Sequence, residues 1–308
     1  METKVYIDGY NFYYGRLKGT NFKWLDYYTL FHSYLLQRNS IGSPQLSAKA
    51  IKFFTAPIDE RVAMDANSVA DQHTYHTALN KHLGDKIDII SGYYDVSKNK
   101  AKLVDGDKEP RECESASIWK IEEKQSDVNV AVHAIFDTLM DPTIEQVVFV
   151  SNDTDILPAM LKLREYRELS GRAIVIGLVI PKKDERKANT SLIQAADWHI
   201  PNISDLELRG SQLPNRINKG RKPAFKPHSW YETPAIVADI LGLLKEAYGK
   251  MNEAYRWLDS TPKGYPEHLP KLEASPFQEM NSKAGCERVL AHAQALRDYR
   301  LNKNKDVN

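Results

Sequence analysis

Residues 173–180 read AIVIGLVI, an unbroken apolar run with no side chain suited to face water. A strand of that kind is buried on both faces, as the central strands of parallel sheets are. Residues 146–150, QVVFV, have the same character. Parallel neighbours cannot be joined by a tight hairpin; each needs a crossover, usually a helix. The rest of the first two thirds supplies that alternation. Short strands are expected at 4–8, 50–55, 87–91 and 198–200, and helical spacing falls at 26–37, 67–83, 127–139, 156–169 and 191–196. Between Gly92 and Lys124 the turn signal VDGDKE predicts a hairpin. Ser126 is placed to cap a helix whose apolar stripe, Val128, Ala131, Val132, Ile135, Phe136 and Leu139, is expected to face the core. The fold class that follows is an α/β sandwich with a mostly parallel sheet.

The chain has 308 residues, 42% of them hydrophobic and 27% charged, which excludes disordered, collagen-like and fibrous classes. Cys113 and Cys286 are too far apart for a CxxC metal pair and too few for a disulfide framework, so reduced thiols and a cytoplasmic location are expected. The opening METKVYIDGYNFYYG lacks the apolar stretch of a signal peptide, and no run is long enough to suggest a membrane span.

The net charge of +1 hides an uneven distribution. Residues 1–208 hold 25 basic and 30 acidic side chains, whereas 209–308 hold 17 and 11. Residues 209–228, RGSQLPNRINKGRKPAFKPH, carry six Lys or Arg and no acid, and read as an exposed basic linker. Its Arg216, Lys219, Arg221, Lys222 and Lys226 are candidates for phosphate contact. Residues 229–308, helical at 234–258 and 282–301 around a Pro-rich interval at 261–276, read as a small α-helical domain.

Acids at the carboxyl ends of parallel strands are placed for chemistry, because ligands of open α/β sheets sit in the crevice there. Asp8 ends the first strand, Asp153 and Asp155 follow QVVFV, and Asp127 opens a helix whose first turn can face the same edge. Gathered carboxylates repel unless a cation neutralises them, and hard oxygen ligands select Mg²⁺ or Mn²⁺. Such a centre would generate a hydroxide for phosphodiester hydrolysis. Each acid taken singly is more often a turn residue or helix cap, and it is their joint occurrence that points to a metal. Tyr10, Phe12, Tyr13, Tyr14, Tyr93 and Tyr94 offer rings for stacking or for the core.

Three segments carry a family resemblance. YIDGYNFYYG resembles the opening motif of NYN domains, KQSDVNVAVHAIFD their helix start, and VVFVSNDTDILPAM their strand-to-helix turn. The resemblance spans residues 1–208 and implies a PIN-like three-layer sandwich and a Mg²⁺- or Mn²⁺-dependent endoribonuclease acting on single-stranded or structured RNA. It implies Asp8, Asp127, Asp153 and Asp155 as metal ligands, with Asn11 and Lys124 completing the catalytic set and Ser151 and Asn152 contacting nucleic acid. Glu122 and Glu123 are weaker candidates for an added ligand. The C-terminal part resembles the Xre/MbcA/ParS toxin-binding domain at Ala254, Trp257, Leu258, Pro262, Pro276, Gly285 and Val289, with GYPEHLPKLEA inserted and Glu279 and Met280 in place of two leucines. That likeness implies a protein partner or self-association through the C-terminal helices and a toxin or defence role. A non-catalytic nucleic-acid-binding or regulatory protein with a structural metal site is the alternative.

Overall fold

The computed structural model describes residues 1–39, 41–63, 65–183, 189–260 and 268–305. It falls into two compact units: residues 1–18 with 25–213, and residues 19–24 with 214–308.

The first unit is built on a six-stranded, wholly parallel sheet. Its strands are β1 (Thr3–Asp8), β2 (Ile51–Thr55), β3 (Ile87–Ser91), β6 (Gln146–Val150), β7 (Val175–Val179) and β8 (Trp198–Ile200), in the order β3-β2-β1-β6-β7-β8. All five residues of β6 are buried, as the apolar run demands. On one face Tyr6, Phe54, Phe149, Ile176 and Leu178 pack against three helices. These are α4 (Ser126–Met140), α5 (Leu157–Ser170) and α6 (Thr190–Ala195). On the other face Phe53 lies 4.8 Å, ring to ring, from Tyr27, which begins α2 (Tyr27–Thr29). Tyr27 in turn meets Phe12 of α1 (Gly9–Phe12) edge to face. Helix α3 (Ser68–Leu83) crosses from β2 to β3, and α7 (Asp205–Gly210) follows β8. Helices over both faces of a parallel sheet make the three-layer α/β sandwich expected from the sequence.

The chain leaves β1 for β2 on one side and returns to β6 on the other. The sheet's switch point therefore lies between the carboxyl ends of β1 and β6, the position at which doubly wound sheets bind ligands. Beside the sheet, β4 (Tyr93–Lys102) and β5 (Ser115–Lys124) form the expected hairpin, paired from Tyr93↔Lys124 to Lys102↔Ser115.

Helix α4 departs from its sequence reading in two ways. Ser126 is its first residue rather than its cap; the capping position is Gln125, held in the left-handed region at φ 76°. The buried face is Ser126, Val130, Ala134 and Thr138, whereas Val128, Val132, Phe136 and Leu139 of the predicted core stripe are exposed. The helix carries apolar residues on more than one face, so periodicity could not say which face meets the sheet.

The second unit has an all-helical core with one small hairpin. Its helices are α8 (Pro234–Tyr248), α9 (Met251–Asp259), α10 (Pro276–Glu279) and α11 (Lys283–Lys305). The helix expected over 234–258 is broken at Gly249, whose φ of 69° caps α8. Ala254, Leu258 and Val289 are fully buried with Ile240, Leu244 and Cys286. A Cβ on Gly285 would stand 1.8 Å from the Glu279 carbonyl oxygen, which explains glycine there. Pro262 and residues 264–267 of the insertion lie outside the described residues. The basic stretch is not an extended tether: β9 (Arg216–Ile217) pairs antiparallel with β10 (Ala224–Phe225), and Ile217 and Ala224 are buried. Residues 19–24 join this unit through Trp24, whose indole N–H donates to the Pro214 carbonyl and whose ring meets Trp230 edge to face. No helix among the described residues is long and apolar enough to cross a membrane.

Candidate functional site

Asp8 closes β1 and caps α1. One carboxylate oxygen accepts the Asn11 backbone N–H at 2.9 Å, and the other accepts the Ser151 hydroxyl at 2.8 Å. The next residue must be glycine: a Cβ on Gly9 would lie 2.3 Å from the Phe54 carbonyl oxygen and 2.7 Å from the Phe53 ring. Ser151 begins the loop after β6, and its hydroxyl also accepts the Asp153 N–H at 3.0 Å. The Asn11 side-chain oxygen accepts the Asn152 N–H at 2.9 Å, and the Asn152 oxygen accepts the Asn189 N–H at 3.0 Å. Asn189 then caps α6 through its own side chain. One continuous network thus ties the ends of β1 and β6 to the start of α6.

Burial and charge set the behaviour of this edge. Asp8 is 2% exposed. Burial, reinforced by the negative charges of Asp127 and Glu123, pushes its carboxyl up to about 7 against the restraining bonds from Asn11 and Ser151. Glu123, at the end of β5, is raised by burial and by Asp127, and accepts a hydrogen bond from the Ser126 hydroxyl. Asp127 is raised by burial and by the charges of Asp153 and Asp155. Asp153 is half-buried and accepts the Asp155 N–H at 3.0 Å; Asp155 is exposed.

A cluster of tyrosines borders these acids. The rings of Tyr10 and Tyr14 are 4.4 Å apart, and Tyr13 meets Tyr14 edge to face at 5.2 Å. Tyr10, Tyr13 and Tyr14 are each about two fifths exposed, at 44%, 37% and 43%. Burial raises the Tyr94 hydroxyl, and Tyr14, Glu123 and Tyr10 add to the effect, which places Tyr94 in the same group. Phe12, by contrast, is core.

The structure separates the sequence candidates. Asp8, Asn11, Ser151, Asn152 and Asp153 meet in the network, and Asp127 and Asp155 lie within electrostatic reach of it. Lys124 instead pairs with Glu122, in the register that also brings Lys120 to Glu122 at 2.6 Å. The five basic candidates do not form one stripe. Arg216 pairs with Asp259, and Lys226 lies 4.5 Å from the Tyr231 ring with its ammonium lowered to about 8 by burial. Lys219, Arg221 and Lys222 are exposed around the hairpin turn. Two contributors were underweighted from sequence. Glu123, a weaker ligand candidate by sequence, turns inward because β5 alternation places Glu122 and Glu123 on opposite faces. Asn189 carries no motif that would have distinguished it.

The fold and this edge define an α/β protein with an acid- and tyrosine-lined site at the switch point of a parallel sheet. No family model matches the chain. It is 40% identical over 304 residues to the 6-hydroxy-3-succinoylpyridine 3-monooxygenase HspA of Pseudomonas putida, an alignment covering 95% of this chain and 93% of that protein. The chain belongs to that protein's family. A solved structure of a Vibrio parahaemolyticus protein of unknown function overlays at a TM-score of 0.38 with 16% identity, covering 69% of this chain and 96% of the other.

This relationship overturns the ribonuclease expectation: the relative is a monooxygenase, an oxidoreductase and not a hydrolase. The expected Mg²⁺ or Mn²⁺ centre is corrected with it. Among the described residues no three His, Cys, Asp or Glu side chains are grouped to hold a metal ion. Within the network Asp8 accepts from Asn11 and Ser151, and Asp153 from the Asp155 N–H, so both carboxylates serve to tie loop and helix starts together.

Proposed function

We propose that this chain is a monooxygenase of hydroxylated pyridines, with 6-hydroxy-3-succinoylpyridine as the reference substrate and the β1/β6 edge as the site. The observation that carries this reading is the 40% identity to the Pseudomonas putida enzyme along nearly the full length of both chains. A monooxygenase places one atom of dioxygen on the substrate and reduces the other to water, using two electrons and two protons.

The residues at the edge suit the substrate half of that reaction. In a 6-hydroxypyridine the ring hydroxyl is para to position 3. Removing its proton raises electron density at position 3, the ring carbon that carries the acyl group, and so activates that carbon toward an electrophile. Asp8 is the group for that proton, because a carboxyl pushed up to about 7 is divided between acid and base near neutrality. Tyr10, Tyr14 and Tyr94 offer faces and hydroxyls to a flat heterocycle beside it. Asn11 and Ser151 hold the carboxylate in one orientation.

An organic electron carrier, flavin or nicotinamide, is what such an activity implies. The switch point does not fit the phosphates of a dinucleotide. Where the fingerprint needs glycines open to pyrophosphate, Gly9 faces the Phe54 carbonyl and Gly15 the Pro181 carbonyl, to which an added Cβ would stand at 2.3 Å and 2.2 Å. The carboxyl of Asp8 stands at the same strand end. No step is therefore assigned to a carrier at this edge.

The test is oxygen uptake by the purified chain with 6-hydroxy-3-succinoylpyridine, each of NADH and NADPH, and added flavin. Substrate-dependent uptake with label from heavy dioxygen in the product is expected. Absence of labelled product under every combination would overturn the reading.

A further inference from the structure

Every one of the most exposed positions of helix α4 carries an apolar side chain. Its exposed positions are Val128, Val132, Phe136, Leu139 and Met140, at 65%, 54%, 60%, 46% and 67% of their full exposure. The neighbouring α5 differs in kind: its exposed Leu161 and Leu169 are interleaved with exposed Lys162, Glu165 and Glu168. The difference is not a shortage of polar residues on α4. Asp137 is turned inward, accepting the Tyr6 hydroxyl at 2.9 Å and pairing with Lys52 at 2.6 Å.

Val128, Val132, Phe136 and Met140 are spaced by four, so they form one continuous ridge along the helix. With Leu139 alongside, the stripe presents on the order of 500 Å² of apolar surface, the size at which exposed patches on soluble proteins mark interaction sites.

We infer that this ridge is the interface of a two-fold homodimer, in which α4 of one copy packs against α4 of the other. Three features favour a second copy as the occupant. The stripe carries no formal charge, so two identical stripes meet without like-charge repulsion, as an isologous interface requires. An i, i+4 ridge fits the groove beside the same ridge on an identical helix, the commonest mode of helix packing. Paired across a two-fold axis, the two stripes approach the roughly 1,000 Å² at which specific interfaces begin. The dimer would fix α4 in place, and with it Asp127 of the first turn.

Sedimentation velocity of the full chain at micromolar concentration reads this directly. The wild type is expected to sediment at twice the 35.2 kDa chain mass, and the Val132→Glu/Phe136→Glu double variant at the single-chain mass with an unchanged circular dichroism spectrum. A single-chain mass for the wild type overturns the inference. So does a dimer that survives the double substitution, since it would be held by another surface. If the double variant does not fold, single Val128→Cys, Val132→Cys and Phe136→Cys chains decide the matter. Both native cysteines are buried, so oxidation should give a disulfide-linked dimer on non-reducing gels from at least one of the three. Failure of all three to cross-link removes the proposal.

Discussion

The loops that leave β1 and β6 meet at one point of the sheet, and each brings an aspartate there, yet the two loops treat the carboxylate differently. Asp8 is enclosed, bonded at both oxygens and pushed up to about 7. Asp153 is half-buried, bonded to a neighbouring backbone N–H, and followed by Asp155 in solvent. The same residue type at equivalent strand ends is therefore enclosed in one loop and left half-buried as a turn-former in the other. Depth beneath the surface, and not the residue's identity, makes the difference.

Replacing Asp8 by Asn tests the comparison most severely. Turnover is expected to fall by roughly 10² to 10⁴, measured as oxygen uptake; retained turnover would remove Asp8 from the chemistry. The same variant carries a stability signature of definite sign. The Asp8 carboxyl sits at about 7 folded against 3.8 unfolded, so between those values the folded chain holds a proton that the unfolded chain has lost. Stability at this site therefore falls as pH rises through that window, by about 1.4 kcal/mol per unit. Urea unfolding at pH 5 and pH 8 should show the wild type losing stability relative to Asp8→Asn, and parallel curves would contradict the assignment.

Tyr14→Ala comes next. Loss of a stacking face should raise KM by about tenfold while kcat stays near the wild-type value, read from steady-state kinetics. A smaller effect is expected from Ser151→Ala. The serine hydroxyl holds the Asp8 carboxyl down, so its removal should move the acid limb of the kcat/KM profile to higher pH. A limb that does not move would point to another titrating group. Asp155→Asn should do least, with stability within about 0.5 kcal/mol of wild type and kcat unchanged, since its side chain is exposed.

Much of this edge was legible in the residues. Apolar runs at 146–150 and 173–180 mark central parallel strands, and Asp8, Asp153 and Asp155 at the ends of the first strand and of QVVFV, with Asp127 at a helix start, stand out as one constellation; Asn11 and Asn152 come in only through the family resemblance. Their chemistry was misread because spacing shows which side chains share an edge, not what each one's oxygens are bonded to. Four carboxylates at one strand edge suggest a metal, but among the described residues no three of them are grouped to hold one. The α4 stripe failed for a related reason. A helix with apolar residues on two faces satisfies the same periodicity whichever face is turned in, and contact with Tyr6, Phe54 and Phe149 selected Val130 and Ala134.

The basic stretch shows the limit from the other side. Six cations without an acid read as a tether, but Arg216 finds Asp259, 43 positions away in the chain, and Ile217 and Ala224 go into a core. The sequence by itself determined the parallel α/β class, the strand that bears Asp8 and the turn that bears Asp153, because buried strands and glycine-marked turns are local properties of the chain. Only the tertiary structure decided which acid titrates near neutrality, which face of α4 is left to solvent and which cations are paired. Those properties depend on distances between residues far apart in sequence, and no local pattern encodes a distance.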